Sequence, residues 1–263
     1  MLIHDRGRNL TAPRRICASA ASLCGPTRPR NEDMAVLGGR CVRDGASEMM
    51  WERGGAARPF LAAVLDGLGG HQGGDQASGL VAERLAAAVW RWPAGASRVE
   101  LAGRLAETLA EAHRELLEVG RDEPERAGAG TTCTALLAAT DAFLLLHVGD
   151  TRCYRRRGGV WRLLTQDHAV VIPDGSGEGI PRLIYAVGAD LPELPPDLVG
   201  DLTETCRPGD VYVLVTDGVL AAAGGDAALG AVLEARDARG MLDLALVNGG
   251  PDNATAVRLE VLE

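Results

Sequence analysis

The acidic residues of this chain stand at the ends of apolar runs. "FLAAVLDG" and "VYVLVTDG" each carry an apolar stretch straight into Asp-Gly, at Asp66 and Asp217. "AFLLLHVGD" ends in Asp150, Glu32-Asp33 leads into "MAVL", and Asp252 immediately precedes "NATAVRLEV". An isolated Asp-Gly is a turn signal. Carboxylates repeated at strand ends imply more. If the strands belong to packed sheets, their ends can meet at one edge. Carboxylates brought together resist ionisation unless a cation neutralises them. An all-oxygen set with no cysteine and little histidine suits hard, octahedral ions, Mg²⁺ or Mn²⁺. Two such ions about 4 Å apart can activate a water against a phosphorus. Glycines beside the acids let backbone carbonyls and waters approach. In this scheme Asp66 is the shared ligand and Gly67 offers its carbonyl. The glycines of "GLGGHQGG" then let the chain turn sharply into a helix from Asp75.

The elements that must position these acids follow from periodicity. "ICASAASLC" and "MAVLGGRCV" read as strands around the turn-rich "GPTRPRNED". "DGASEMMWERGGAA" reads as a loop, and "RPFLAAVL" as a buried strand. A helix is expected over about 74–91. A second is expected over about 97–119, with Ser97 as N-cap. In it Leu101, Leu105, Leu109, Ala112 and Leu116 keep helical spacing, with His113 beside the stripe as a boundary residue. Strands return in "TTCTALLAA", "AFLLLHVG", "RCYRRR" and "VWRLL", with Gly158-Gly159 marking a tight hairpin. The triple arginine reads as a solvated strand end. A Pro/Gly-rich region over 173–200 interrupts the pattern. "DVYVLVT" resumes it, an Ala-rich helical stretch runs to about 247, and "NATAVRLEVL" closes the chain as a strand. Strands in blocks separated by helix pairs predict an α+β layered fold with antiparallel sheets, not alternating βαβ units. Residues 1–13 read as a flexible N-terminal tail and 14–263 as one domain.

Composition bounds the rest. The chain has 263 residues, 46% of them hydrophobic but only 3% aromatic, so its core is built from Ala, Leu and Val. A net charge of −9 argues against a nucleic-acid partner. All 27 basic residues are arginine, which excludes lysine Schiff-base chemistry and a lysine-bearing phosphate loop. The six cysteines form no CxxC pair, which argues against a zinc knuckle and for a reducing compartment. No run approaches the roughly 20 apolar residues that span a bilayer, so no membrane partner is expected. "RRICASAASLC" has the flavour of a signal peptide. Its apolar part is short, however, and cleavage there would remove residues leading into the first acidic motif.

In order, the motifs resemble those of the type 2C metal-dependent protein phosphatase (PPM) family, bacterial branch. "SLCGPTRPRNEDMAV" is similar to its first motif, an arginine followed four residues on by Glu-Asp. "VLDGLGGHQGG" is similar to its Asp-Gly-x-Gly-Gly-His segment. "GTTCTALL", "HVGDTRCY", "LLTQDH", "LVTDGVL" and "GPDNATAVRLEV" match the later motifs, over about residues 14–262.

The resemblance implies a four-layer αββα sandwich, two antiparallel sheets between helix pairs. It also implies a binuclear Mn²⁺ or Mg²⁺ centre with a weaker third ion. Asp66 would bridge both metals, with Asp217 and Asp252 completing the first. Glu32 and the Gly67 carbonyl would serve the second, with Asp33 holding bound water. Asp150 with Asp217 would recruit the third ion. Arg28 would clamp the substrate phosphate, a task suited to a planar guanidinium, and Asn253 would orient the Asp252 loop. His71, Thr165 and His168 are expected to hold loops.

The implied activity is hydrolysis of phosphoserine or phosphothreonine on proteins in the cytoplasm, opposing a bacterial Ser/Thr kinase. The chain departs from the pattern at Leu68, where many animal members carry a histidine proposed as general acid. It departs again at Leu23, where bacterial members often carry an aspartate, and in a short segment between His168 and Tyr185. A non-catalytic binding module on the same fold is the alternative. A nucleotide-binding reading of "GLGGHQGG" would need a parallel βαβ unit and leaves Asp150, Asp217 and Asp252 unexplained.

Overall fold

The computed structural model describes residues 12–53, 58–69, 73–173, 179–191, 193–223 and 226–263. The expected tail thus lies almost wholly outside the described residues; Ala12, at its end, is buried. The first half of the chain forms β1 (Arg15–Leu23), β2 (Met34–Leu37), β3 (Arg40–Val42), β4 (Gly45–Glu52), β5 (Phe60–Leu65) and β6 (Gly67–Leu68), then helices α1 (Gly74–Val89) and α2 (Arg98–Asp122). Next come β7 (Gly130–Thr131), β8 (Cys133–Ala138), β9 (Phe143–Val148), β10 (Arg152–Arg157) and β11 (Val160–Leu163). The last third holds β12 (Ala169–Ile172), β13 (Ile180–Leu183), β14 (Val187–Gly188), β15 (Val199–Asp201) and β16 (Val211–Val215). It ends with α3 (Asp217–Ala223), α4 (Asp226–Leu233), α5 (Ala238–Val247) and β17 (Ala254–Val261).

Two six-stranded antiparallel sheets dominate, in the orders β11-β10-β16-β17-β1-β4 and β15-β9-β8-β5-β2-β3. Their central strands read as unbroken apolar runs because both faces are covered. Along β5, Leu61, Ala63 and Leu65 pack with Leu85, Leu101, Leu105 and Leu109 of α1 and α2. The alternate residues Phe60, Ala62 and Val64 meet Ile16, Tyr212 and Val257 of the other sheet. That sheet turns Ala21, Val213 and Val215 toward Met241 and Leu242 of α5. Strand alternation therefore builds three apolar layers between four structural ones, the αββα sandwich the motifs implied. In the largely aliphatic seam between the sheets, Phe143 and Tyr212 pack edge-on with ring centroids 5.0 Å apart.

Helix α2 begins where Ser97 caps it. The Ser97 hydroxyl accepts from the Glu100 amide, and the Glu100 carboxylate accepts from the Ser97 amide, a reciprocal capping box. His113 is buried on α2 and accepts a hydrogen bond from the Gly188 amide at 3.0 Å. Gly158 and Gly159 take the positive φ angles of the β10–β11 hairpin.

Two expectations are corrected. Residues 45–52 are not a loop but strand β4, paired over its length with β1. As an edge strand it buries only alternate side chains, Met49 and Trp51 against the core, so no apolar run announces it. The triple arginine is not merely a solvated strand end: Arg156 pairs with Glu234 at 2.7 Å, and Arg157 makes a two-pronged contact with the fully buried Asp210. Between β11 and β16, β12 pairs antiparallel with β13, and β13, β14 and most of β15 are the short strands that fall within the Pro/Gly-rich region over 173–200. Residues 15–23 form β1, paired on both sides within a main sheet.

Candidate metal centre

The acids arrive at one end of the sandwich from both sheets. Glu32 and Asp33 immediately precede β2, and Asp66 immediately follows β5, its antiparallel neighbour. Asp217 opens α3 just after β16, and Asp252 lies just before β17, the partner of β16. Asp150 sits in the turn that carries the chain from β9 in one sheet to β10 in the other.

Backbone contacts fix these positions. The Asp66 amide donates to the Thr132 hydroxyl at 3.0 Å, and the Asp66 carbonyl accepts from the Thr131 hydroxyl and the Thr132 amide, each at 2.9 Å. Gly67 is buried in β6, where a Cβ would collide with the carbonyl oxygens of Gly74 and Glu32. Only glycine permits that approach. Gly149, before Asp150, has φ 103°, and a Cβ there would strike the Thr132 side chain. His168 holds the same turn: its Nδ1 accepts from the Gly149 amide at 3.2 Å. The Thr165 hydroxyl accepts from the Cys153 amide at 3.1 Å on β10. Asn253 Oδ1 accepts from the Gly25 amide at 3.1 Å, tying the loop of Asp252 to the loop of Arg28. His71 lies outside the described residues.

The charges feel one another. Burial pushes the Asp33 carboxyl up to about 7, with Asp217 and Asp252 adding to the rise and hydrogen bonds from Thr216 and Thr255 opposing it. Burial likewise holds Asp66 well above the ordinary carboxylate range, reinforced by Asp33, Asp217 and Asp150. Asp150 is pushed to about 6 by burial and by Asp217. Asp217 is raised by burial and then by Asp252, while its hydrogen bond with Asp66 opposes the rise. Glu32 is raised by burial and Asp75, and the arginines that counter it are Arg28 and Arg30. Arg28 itself reaches across to Asp252, Nη2 to Oδ2 at 2.6 Å, with its side chain half exposed.

Among the described residues, no three His, Cys, Asp or Glu side chains are already closed around a single point. The acids are therefore gathered by their backbones and coupled through their fields, without being drawn into a finished cage. The donor set still fits divalent ions: oxygen only and mutually repelling, which is the condition a hard cation relieves.

Threonines were missed by the sequence reading. The Thr216 hydroxyl donates to Asp33 Oδ2 at 2.8 Å and accepts from the Thr255 amide at 3.0 Å. It lies one residue before Asp217, in a position that reads simply as the end of a β-branched strand.

Comparison with known proteins bears on the fold and the family. The Protein phosphatase 2C family model matches residues 43–172. The serine/threonine protein phosphatase PstP of Mycobacterium tuberculosis is 30% identical over 259 residues, covering 93% of this chain and 45% of that protein. The chain thus spans a little under half the length of that relative. The crystal structure of the Mycobacterium tuberculosis phosphatase PstP/Ppp superposes with a TM-score of 0.72 at 26% identity, covering 95% of this chain and all of that one. A structure of the PstP catalytic domain in complex with two manganese ions superposes with a TM-score of 0.63 at 27% identity, over 95% of this chain and all of that one. Over 93% of its length the chain is similar to a type 2C serine/threonine protein phosphatase, and over 95% of it the fold is that of the solved bacterial phosphatases.

Proposed function

We propose that this chain hydrolyses phosphoserine and phosphothreonine on proteins at the acidic end of its sandwich. One observation carries the reading: six carboxylates, contributed by both sheets, lie at that end near enough to raise one another's titration, with Arg28 beside Asp252. Asp66, Asp217, Asp252, Glu32 and the Gly67 carbonyl would hold two Mn²⁺ or Mg²⁺ ions, with Asp66 shared, Asp217 and Asp252 serving the first and Glu32 with Gly67 the second. Asp33 would order bound water, and Asp150 with Asp217 would take a weaker third ion. Bound ions would supply an activated water and neutralise charge on the phosphoryl oxygens.

The chain's own side chains do the rest. The Arg28 fork suits two phosphate oxygens, and a substrate phosphate would take the place of Asp252 as its partner. Asn253 holds the Arg28 and Asp252 loops at a fixed spacing through Gly25. Leu68 is apolar and offers no proton to a leaving group, so no side chain is assigned as general acid.

The same reading places the protein in the cytoplasm, opposite a serine/threonine kinase and acting on that kinase or its targets. Six unpaired thiols support a reducing compartment, and among the described residues no helix is long and apolar enough to cross a membrane. The test is hydrolysis of p-nitrophenyl phosphate with and without manganese, followed by phosphopeptides bearing Ser, Thr or Tyr. Manganese-dependent turnover is expected, with phosphoserine and phosphothreonine preferred and Asp66→Asn inactive. Full manganese-dependent turnover by Asp66→Asn would refute the assignment.

A further inference from the structure

Glu32 and Asp33 sit on a loop, and loops place ligands less exactly than strands do. Something must hold this one. Arg43 enters from the turn before β4. Its Nε donates to the Asp33 carbonyl at 3.0 Å, and its Nη2 donates to the Asp75 carbonyl at 2.6 Å and to the Ser78 hydroxyl at 2.8 Å. Ser78 is fully buried in α1, and its hydroxyl passes the link on, donating to the Glu32 carbonyl at 2.6 Å. The carbonyls of both acidic residues are thus fastened to the first turns of α1 by one guanidinium and one hydroxyl. The same turns carry Gly74, which packs against Gly67 and the Glu32 carboxyl carbon.

We infer that Arg43 and Ser78 form a positioning clip that sets the spacing between the Glu32–Asp33 loop and the Asp66–Gly67 turn, and through it the affinity for the second metal ion. This rests on the metal-centre reading above. Neither residue touches substrate; both act through backbone carbonyls. The chemistry favours arginine over lysine here, since three acceptors on two elements are spanned by one planar fork. Groups that orient metal ligands typically contribute 10–100-fold in metal affinity. Arg43 also borders an open groove of about 600 Å³ together with Asp75, Glu83, Arg84 and Glu115. Its removal therefore widens a space already open to solvent and leaves the apolar core intact.

Manganese titration by calorimetry, with thermal melting of each metal-free protein, tests the clip. Wild type is expected to bind two ions. Arg43→Gln and Ser78→Ala are each expected to weaken the second ion about tenfold, and Arg43→Lys is expected to fall between Arg43→Gln and wild type. The KM for p-nitrophenyl phosphate at saturating manganese is expected to stay within about twofold of wild type. If Arg43→Gln and Ser78→Ala melt like wild type and bind both ions with wild-type affinity, the clip is wrong while the metal centre stands. If Ser78→Ala alone folds and binds as wild type does, the clip is equally refuted. Wild type binding no manganese at all would overturn both.

Discussion

At Asp33 a buried carboxylate accepts a hydrogen bond from Thr216 and still titrates near neutrality. Burial and like charges together outweigh the hydrogen bonds, and that balance has a consequence in the metal-free protein. A carboxyl at about 3.9 in the unfolded chain and about 7 in the fold binds more protons when folded across that interval. Stability therefore falls as pH rises through it. Asp150, at about 6, acts in the same direction over a narrower window. The contribution is fully present below about pH 4 and lost by about pH 7. Thermal melting in a chelator is expected to show Tm falling by about 5 °C between pH 5 and pH 8, and a flat or rising profile would contradict the coupling. At this scale the acids were legible because each broke an apolar run. Thr216 and Ser78 were not, since a lone hydroxyl at a strand end or within a helix has no spacing partner in sequence. Their acceptors, Asp33 and the Glu32 carbonyl, lie far along the chain.

Elements were legible in proportion to how much of their burial is local. Helix α2 showed its stripe at helical spacing and its cap at Ser97, and both are present. The central strands showed continuous apolar runs because helices cover one face and a sheet the other. Strand β4 did neither. Its sequence Gly-Ala-Ser-Glu-Met-Met-Trp-Glu is held by register with β1, a long-range pairing that a window of residues cannot register. The capping box at Ser97 is an element-scale feature remote from the acidic end, so its loss should be read in stability alone. Ser97→Ala removes the hydroxyl that accepts from Glu100, at a cost of about 1 kcal/mol. In a domain of this size that is about 3 °C in Tm. Melting is expected to register this, with catalytic parameters unchanged; a loss of activity at the assay temperature without a shift in Tm would mean that α2 couples to the site.

Across the whole molecule the acidic end is a seam. Glu32, Asp33 and Asp66 belong to one sheet, Asp217 and Asp252 to the other, and Asp150 to the turn between them. Like charges facing each other across a boundary push the layers apart, while the apolar seam led by Phe143 and Tyr212 holds them together further along. An ion held between the sheets therefore acts as a tether for the entire sandwich, because it binds the folded arrangement and finds no equivalent in the unfolded chain. At free manganese of about 100 times its dissociation constant, one site adds about 2.7 kcal/mol. This is expected to appear as a rise in Tm of roughly 5–10 °C. Asp217→Asn separates tethering from general salt effects. It should lose most of the manganese-induced rise, yet in a chelator near pH 7.5 it should melt at or above wild type, since one of the repelling charges is gone. Were Asp217→Asn to melt well below wild type without metal, Asp217 would be stabilising the fold through its hydrogen bond with Asp66, and the two sheets would owe their approach to packing and that bond alone.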